Sequence, residues 1–247
     1  MIRIILGKMG SGKTSSVVRE MVLNEDEKPT FSNIVLKSKK INHVQITKEM
    51  IFNKIVTGQT KNGENKYKLE LNINYWKQIK NKHGSINIII DEAHTLYNSR
   101  SAMSNKNKLF SEWLALLRRV VNDSNSDGSL TLISQLSRRI DIIGKELATK
   151  IEYCKMHYIK TCNKCGLQYK ETNEDNIIIK KCYKCNHPHF KKSNFIIEKW
   201  EFEDTEACDY WLNTKQKTYF NHYYIVDISN YFKYYDTFQW EDLLSDD

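Results

Sequence analysis

The sequence predicts an α/β protein in which a mostly parallel sheet is flanked by helices and carries an inserted four-cysteine ribbon. Three observations predict this fold class. An apolar strand at the start of the chain runs directly into a glycine-rich loop and a helix. A second apolar strand, at residues 86–90, ends in two acidic residues. Two Cys-x-x-Cys pairs follow later in the chain.

The opening strand, residues 1–6, leads into residues 7–14, which have the pattern Gly-x-x-x-x-Gly-Lys-Thr of a phosphate-binding loop. Glycines let the backbone turn tightly, so that several N–H groups point into one concavity at the N-terminus of the next helix. Lys13 is expected to reach the terminal phosphates of ATP, and the Thr14 hydroxyl to hold Mg²⁺. The predicted nucleotide-binding residues of this loop are Gly7, Gly10, Ser11, Gly12, Lys13, Thr14 and Ser15.

Hydrophobic periodicity predicts further strands and one helix in the next part of the chain. These elements are a core strand at 30–36, a short edge strand at 43–47, an exposed hairpin or loop at 57–66, and a helix at 72–82 that Gly84 ends. Strands that alternate with helices are typical of a parallel sheet, which supports the predicted fold class.

Asp91 and Glu92 follow the apolar strand at 86–90. Beside a phosphate-binding loop, Asp91 is suited to the Mg²⁺ shell and Glu92 to polarising an attacking water. An acidic N-cap of the next helix is the simpler interpretation, and both can hold at once. With His94 the string also resembles a helicase signature. That class needs two lobes and a much longer chain, so we discount it.

A long helix at 105–122 and a core strand at 130–135 complete the predicted layer. Gln135 lies where the carboxyl end of its strand should meet the nucleotide, so it is a candidate sensor of the γ-phosphate. Nearby arginines are candidates for contacting phosphate, directly or across a subunit boundary, although ordinary solvation of a helix end also explains them. These arginines are Arg118, Arg119, Arg138 and Arg139.

Two pairs of cysteines, Cys162 with Cys165 and Cys182 with Cys185, are separated by sixteen residues. This spacing is typical of a four-thiolate Zn²⁺ site, and four thiolates leave no open position for catalysis. A disulfide framework is the competing interpretation, but nothing marks the chain as secreted. The neighbouring residues Gly166 and Asn186 supply the positive-φ turns that such knuckles favour. Cys154 and Cys208 are expected to be buried thiols, and His157, His187 and His189 are possible substitute ligands.

Strand-like segments at 152–160 and 195–202 flank the cysteines, so the ribbon is expected to cap a long hairpin. The predicted organisation is a nucleotide-binding core at 1–153, a zinc ribbon insertion at 154–192 and a C-terminal segment at 193–247 that packs back on the core. No linker rich in proline, glycine or serine divides the chain.

The net charge is +8, and it is unevenly distributed. Residues 155–192 carry nine lysines and three acidic residues, whereas residues 193–247 carry four lysines and twelve acidic residues. A basic surface suits a polyanion such as double-stranded DNA, although a solvated lysine-rich surface is the alternative. Apolar runs fall far short of the ~20 residues of a membrane helix, and no signal peptide opens the chain. We therefore expect a soluble cytoplasmic protein.

The order of these motifs resembles the FtsK/HerA superfamily of P-loop ATPases, and within it the zonula-occludens-toxin-like and viral genome-packaging ATPases. The resemblance covers roughly residues 1–153 and the final segment. The resemblance rests on five segments. They are Gly-x-x-x-x-Gly-Lys-Thr, Ile-Asp-Glu-Ala-His followed by Asn98-Ser99-Arg100, the Arg-bearing helix, Ile-Ser-Gln135 followed by Arg138-Arg139-Ile140-Asp141, and Tyr-Asp-Thr near the end.

This resemblance implies a RecA-like P-loop NTPase fold and a motor that uses ATP to translocate or package DNA. It implies Lys13 and Thr14 as phosphate and Mg²⁺ contacts, Asp91 and Glu92 as metal and water-activating residues, and Gln135 as sensor. Members form ring hexamers with an arginine finger supplied in trans, for which the candidates are Arg100, Arg118, Arg119 and Arg138. Toxin-like members carry a membrane span that is not found here, which favours packaging or translocation in the cytoplasm (of the host cell, if the protein is viral), with a capsid or membrane-protein partner.

Two other functions fit part of the pattern. Thymidine kinases of the zinc-bearing type share the loop Gly-x-Met-x-Ser-Gly-Lys-Thr, here with Met9, and a late four-cysteine ribbon. The long helix at 105–122, the segment at Gln135 and more than fifty residues after the ribbon argue against that class. A nucleotide-gated DNA-binding adaptor without turnover is the third possibility.

Overall fold

A computed structural model describes residues 1–24, 27–38, 40–59, 64–93, 105–121, 127–135, 142–172 and 179–240. The described strands are β1 Ile2–Leu6, β2 Thr30–Ser32, β3 Ile34–Leu36, β4 His43–Gln45, β5 Phe52–Gln59, β6 Asn65–Leu71, β7 Asn87–Ile90, β8 Ser129–Ser134, β9 Lys150–Cys162, β10 Gln168–Thr172, β11 Phe190–Phe202, β12 Asn221–Ile225 and β13 Tyr235–Trp240. The helices are α1 Lys13–Leu23, α2 Lys48–Ile51, α3 Ile73–His83, α4 Asn105–Val121, α5 Ile142–Leu147, α6 Thr205–Thr214 and the 3-10 helix Ile228–Tyr234.

A nine-stranded sheet forms the centre of the molecule, with the order β12-β11-β9-β1-β8-β7-β2-β4 and β10 beside β9. Neighbours from β9 through β1, β8, β7 and β2 to β4 pair in parallel, whereas β10, β11 and β12 add antiparallel strands. The α/β fold class and the edge position of β4 are therefore confirmed. Because β1, β7 and β8 run in one direction, their carboxyl ends meet at the same edge of the sheet.

Helices cover both faces of this sheet, which explains why the central strands are apolar throughout. On one face, Trp76 of α3 and Trp113 of α4 pack with ring centroids 5.9 Å apart over Ile4. On the other face, Val17 and Val18 of α1 pack against Ile5 and its neighbours. The predicted helices at 72–82 and 105–122 are confirmed, and Gly84 ends the first of them with a φ of 70°. None of the described helices is long and apolar enough to cross a membrane.

The prediction of one continuous strand at 30–36 is wrong. The chain forms β2 in the main sheet and then β3, which pairs with β13 in a separate two-stranded sheet. The break falls at Asn33, which is buried and whose side chain bonds the backbone of Asp91 at both its N–H and its carbonyl. Those two hydrogen bonds take the place of strand pairing at this residue.

The exposed hairpin predicted around residues 57–66 is confirmed and is longer than expected. Its strands β5 and β6 pair antiparallel from Phe52 with Leu71 to Gln59 with Asn65. Most of the side chains on both faces of the hairpin are exposed. The alternating hydrophobic pattern that identifies half-buried strands is therefore missing, and the sequence predicted a shorter hairpin.

The long hairpin predicted around the cysteines is also confirmed. Strands β9 and β11 pair antiparallel from Ile151 with Phe202 to Cys162 with Phe190, and β10 adds a third strand. The arm extends about 40 Å from the base of β9, at ~3.3 Å per residue. Cys154 and Cys208 are buried thiols, as expected. The division of the chain at residues 153 and 192 into three units stays a prediction.

A buried ionic cluster joins β1, β9 and β11 at the base of this arm. The Lys199 ammonium, fully buried, lies 2.6 Å from Glu152 Oε2 and 3.6 Å from Glu20 Oε1. Glu152 also lies 3.5 Å from the Arg3 guanidinium and 3.3 Å from Lys150 Nζ. Burial alone would raise the pKa of the Glu152 carboxyl, but Lys199 and Arg3 lower it to about 2. Glu201 lies 2.5 Å from Lys150 Nζ, so the cluster contains three cations and three carboxylates and its charges balance.

Candidate functional site

The loop after β1 takes the backbone conformation that its glycines permit. Gly10 has a φ of 72°, and Gly12, which directly precedes α1, has a φ of 86°. The φ of Gly12 strains any side chain, and an added Cβ would lie 2.5 Å from Ile197 Cδ1 of β11, which would have to move. At Gly7 a Cβ would lie 2.6 Å from the carbonyl oxygen of Cys154. The loop is therefore packed between α1 and the base of the arm.

Lys13 is buried at the start of α1, with 5% of its surface exposed. Its ammonium donates to the carbonyl oxygens of Gly7 at 2.8 Å and Lys8 at 2.9 Å. Within the described ranges it forms no ion pair with a carboxylate. Burial lowers the pKa of Lys13, and the charges of Glu92 and Asp91 oppose that shift. The direct hydrogen bonds to this buried cation thus come from backbone carbonyls, and two nearby carboxylates add a longer-range attraction.

Thr14 joins the loop to the end of β7. Its hydroxyl donates to Asp91 Oδ2 at 2.8 Å, and Asp91 is itself buried. Burial raises the pKa of Asp91, while the hydrogen bond from Thr14 lowers it. A hydroxyl and a carboxylate oxygen in contact are the hard ligands that Mg²⁺ prefers, so these two residues fit that ion.

Glu92 follows Asp91 with a φ of 51°, a left-handed conformation that is uncommon for a residue with a side chain. Its backbone N–H donates to Asp91 Oδ1 at 2.8 Å. One carboxylate oxygen of Asp91 is thus occupied by the backbone, and the other by Thr14. The hydrogen bonds to both oxygens fix the orientation of the Asp91 side chain.

Gln135 lies directly after β8 and is half-buried. Since β8 pairs with both β1 and β7, Gln135 lies at the same carboxyl edge as the loop and Asp91. The sequence places a polar residue at this strand end, and the structure brings it to the edge that holds Lys13.

Arg118 and Arg119 are exposed and lie at the other edge of the sheet. The α4 helix ends at Val121, whose carbonyl oxygen is beside Gly128, the residue before β8. The carbonyl oxygen of Arg119 also accepts a hydrogen bond from Lys80 near the end of α3. These two arginines therefore do not reach the loop of their own chain. Arg100, Arg138, Arg139 and His94 lie outside the described residues.

No role was predicted from the sequence for two residues at this site, Asn33 and Tyr235, the latter being the first residue of the Tyr-Asp-Thr string. Asn33 donates to the Asp91 carbonyl oxygen at 2.9 Å and accepts from its N–H at 2.7 Å. The Tyr235 hydroxyl lies 2.5 Å from Ser15 Oγ in α1. The only signal for Asn33 is an amide residue inside a predicted strand, where Asn is rare. Nothing local in the sequence connects Tyr235 with Ser15.

The four cysteines come together at the tip of the arm. Their Sγ atoms all lie within 4.8 Å of one another, and the closest pairs are 3.5 Å for Cys162 with Cys185 and 3.4 Å for Cys165 with Cys182. Four thiolates at ~2.3 Å from one Zn²⁺ in tetrahedral geometry stand about 3.8 Å apart, so the spacing fits.

Backbone turns form both knuckles of this cluster. The N–H groups of Gly166 and Asn186 donate to the carbonyl oxygens of Cys162 and Cys182. Gly166 has a φ of 72° and Asn186 a φ of 54°, so the predicted positive-φ turns are confirmed. The predicted substitute ligands, His157, His187 and His189, are not part of the cluster.

A strand, a glycine loop and a helix with a buried lysine, together with the hydrogen bond from Thr14 of that helix to the Asp91 carboxylate after β7, define a P-loop NTPase. The chain belongs to the zonular occludens toxin (Zot) family, whose profile matches residues 1–195. A comparison with curated proteins found no match.

Solved structures similar to this chain include the N-terminal domain of zonular occludens toxin from Neisseria meningitidis, at 18% identity and a TM-score of 0.47, covering 95% of this chain and 98% of that one. The DNA-packaging ATPase B204 of Sulfolobus Turreted Icosahedral Virus is 18% identical with a TM-score of 0.38, over 62% of this chain and 74% of that one. The genome packaging NTPase B204 of Sulfolobus turreted icosahedral virus 2, in complex with ATP-gammaS, is 15% identical with a TM-score of 0.36, over 62% of this chain and 73% of that one.

Proposed function

We propose that this chain is an ATPase motor that translocates or packages double-stranded DNA. The observation that carries the proposal is the Thr14–Asp91 contact of 2.8 Å beside the buried Lys13. It supplies a metal-binding pair next to an anion-binding loop, which ATP hydrolysis requires. Membership of the Zot family supports the same function and favours it over a thymidine kinase.

Each residue of the site has a separate role in the proposed ATP hydrolysis. Lys13 and the backbone N–H groups of Gly7, Gly10, Ser11, Gly12, Lys13, Thr14 and Ser15 bind the phosphates. Thr14 and Asp91 would hold Mg²⁺, which neutralises the charge that develops on the phosphate oxygens. Glu92 orients the attacking water and accepts its proton, and Gln135 contacts the γ-phosphate from the end of β8.

Arginine is the residue that stabilises the charge of a phosphoryl transition state from a neighbouring subunit. Because Arg118 and Arg119 lie at the far edge of the sheet, either one would serve the site of the next copy in a ring. Arg100 and Arg138 are the other proposed fingers. We therefore propose a homo-oligomeric ring, a hexamer by resemblance, whose sites are completed between subunits.

The ribbon is proposed to hold one structural Zn²⁺ through Cys162, Cys165, Cys182 and Cys185, since four thiolates close the coordination sphere. Lysines and the aromatic ring of Tyr183, which is 80% exposed, lie on the same tip. Lysines that pair with phosphates and a ring that stacks on bases suit contact with DNA. A capsid or membrane-protein partner and a cytoplasmic location, in the host if the protein is viral, complete the proposal.

ATP hydrolysis with and without linear double-stranded DNA tests this function. We expect DNA to stimulate hydrolysis. Glu92→Gln should reduce turnover by at least ~100-fold while Mg-ATP still binds, because the amide cannot accept the proton. Glu70→Gln, on the exposed hairpin, is the matched control and should change nothing.

Other outcomes would identify another function. Hydrolysis that ignores DNA and persists in Glu92→Gln would contradict the motor. Phosphorylation of thymidine by ATP would establish a nucleoside kinase instead. Binding of nucleotide and DNA without turnover under any condition would leave a nucleotide-gated adaptor.

A further inference from the structure

The C-terminal part of the chain packs against α1, the helix that follows the phosphate-binding loop. We call residues 227–235 the clasp; they comprise Asp227, the 3-10 helix and the first residue of β13. The Tyr235 hydroxyl lies 2.5 Å from Ser15 Oγ, and the Asp227 carboxylate accepts a hydrogen bond from Arg19 Nε at 2.8 Å. Since residues four apart share one face of a helix, the clasp holds a single face of α1 over one turn.

The first of these contacts lies at the proposed phosphate site, because Ser15 directly follows Thr14. Tyr235 is 4% exposed and belongs to the apolar core around α1. Burial raises the pKa of Tyr235; the hydrogen bond with Ser15 lowers it and the nearby charge of Asp91 raises it. At neutral pH the Tyr235 phenol is therefore uncharged, is hydrogen-bonded to Ser15 and lies near Asp91. Because Ser15 and Tyr235 are both buried, breaking their hydrogen bond would leave buried polar groups unsatisfied and is costly.

A second path connects the clasp to Asp91. Tyr235 pairs with Leu36 of β3, and the N–H of Lys37 donates to the Tyr234 carbonyl oxygen at 2.8 Å. Strand β3 begins immediately after Asn33, whose side chain holds the backbone of Asp91. The clasp therefore contacts the loop helix directly and the metal-binding strand end through β3.

We propose that Tyr235 is a positioning residue of the nucleotide site, and that docking of the clasp and binding of Mg-ATP stabilise each other. The inference rests on the proposed function. Phosphates that bind at the N-terminus of α1 fix that turn of the helix, and with it Ser15. A fixed Ser15 holds Tyr235 more firmly, and linkage requires that a docked clasp raise nucleotide affinity by the same factor.

The first test is the affinity for Mg-AMPPNP of Tyr235→Phe, measured by calorimetry. We expect binding about fivefold weaker than in the wild type. The KM for ATP should rise by the same factor with kcat changed less than about twofold, since the residue positions the site and touches no reacting atom. Ser15→Ala, which removes the other half of the bond, should behave alike. Tyr234→Phe is the matched control, because its hydroxyl makes no hydrogen bond to α1, all of whose residues the structure describes; it should match the wild type.

Hydrogen exchange separates positioning from simple stability. In the wild type, saturating Mg-AMPPNP should slow exchange of the amides at 227–240 about fivefold, whereas in Tyr235→Phe saturating nucleotide should leave their exchange unchanged. Equal protection in both proteins, or none in a wild type that binds AMPPNP normally, would overturn this inference alone. A wild type that fails to bind AMPPNP would contradict the proposed function itself.

Discussion

Two buried lysines of this molecule show how differently the same side chain can be held. Lys199 is fully buried and lies 2.6 Å from Glu152 Oε2, with Glu20 as a second carboxylate. Lys13 is almost as buried, yet its described partners are only the carbonyl oxygens of Gly7 and Lys8. Burial alone lowers the pKa of both ammonium groups, but Glu152 raises that of Lys199 well above its ordinary range, whereas the pKa of Lys13 stays lowered.

The difference separates a structural charge from a functional one. A buried ion pair is satisfied within the fold, and removing one partner leaves a charge that destabilises it. A buried cation that donates only to backbone carbonyls and forms no direct ion pair can gain interaction energy when an anion arrives from solution. We infer that the ionic cluster that joins β1, β9 and β11 stabilises the fold. We infer that Lys13 instead binds phosphate.

The largest effect on stability is expected from Glu152→Gln. Lys199 would keep only Glu20, 3.6 Å away, and the free energy of unfolding should fall by about 3 kcal/mol. Urea denaturation followed by tryptophan fluorescence measures it. Lys199→Met should cost less, because Glu152 retains Arg3 and Lys150. Equal losses of unfolding free energy in Glu152→Gln and Lys199→Met, or a loss below ~1 kcal/mol in Glu152→Gln, would contradict a stabilising role for the ionic cluster.

A smaller effect on the body of the protein is expected at the ribbon, where we propose a bound Zn²⁺. Cys182→Ser should abolish stoichiometric Zn²⁺ and the protection of the arm tip from proteolysis. Nucleotide affinity should stay within about twofold, because Cys162 is nine residues, about 30 Å, along β9 from the strand pair beside the loop. Cys208→Ser, a buried thiol in α6, should retain zinc. Zinc content that is unchanged in Cys182→Ser would contradict the four-thiolate site.

Local patterns in the sequence predicted most of this architecture. The glycine loop, the apolar strands, the helix at 105–122 and the cysteine knuckles each depend on residues close together in the chain. Gly166 and Asn186 illustrate this, since a knuckle's turn is fixed within a few residues.

The features that escaped prediction join residues far apart in the chain. Asn33 meets Asp91, Ser15 meets Tyr235 and Glu152 meets Lys199. Periodicity cannot specify such pairs, because strand order and register must first bring them together. The location of Arg118 and Arg119 at the far edge follows in the same way from the direction of α4, which runs opposite to the strands around it.

The comparison of the two lysines is tested most directly by titrating Mg-AMPPNP into Lys13→Met and Lys199→Met. We predict that Lys13→Met weakens binding on the order of 100-fold, ~2.8 kcal/mol, while its free energy of unfolding stays within ~0.5 kcal/mol of the wild type or rises. Lys199→Met should bind nucleotide normally and unfold more easily. Normal nucleotide binding by Lys13→Met, or a stability loss as large as that of Lys199→Met, would contradict the assignment of Lys13 to the phosphate site.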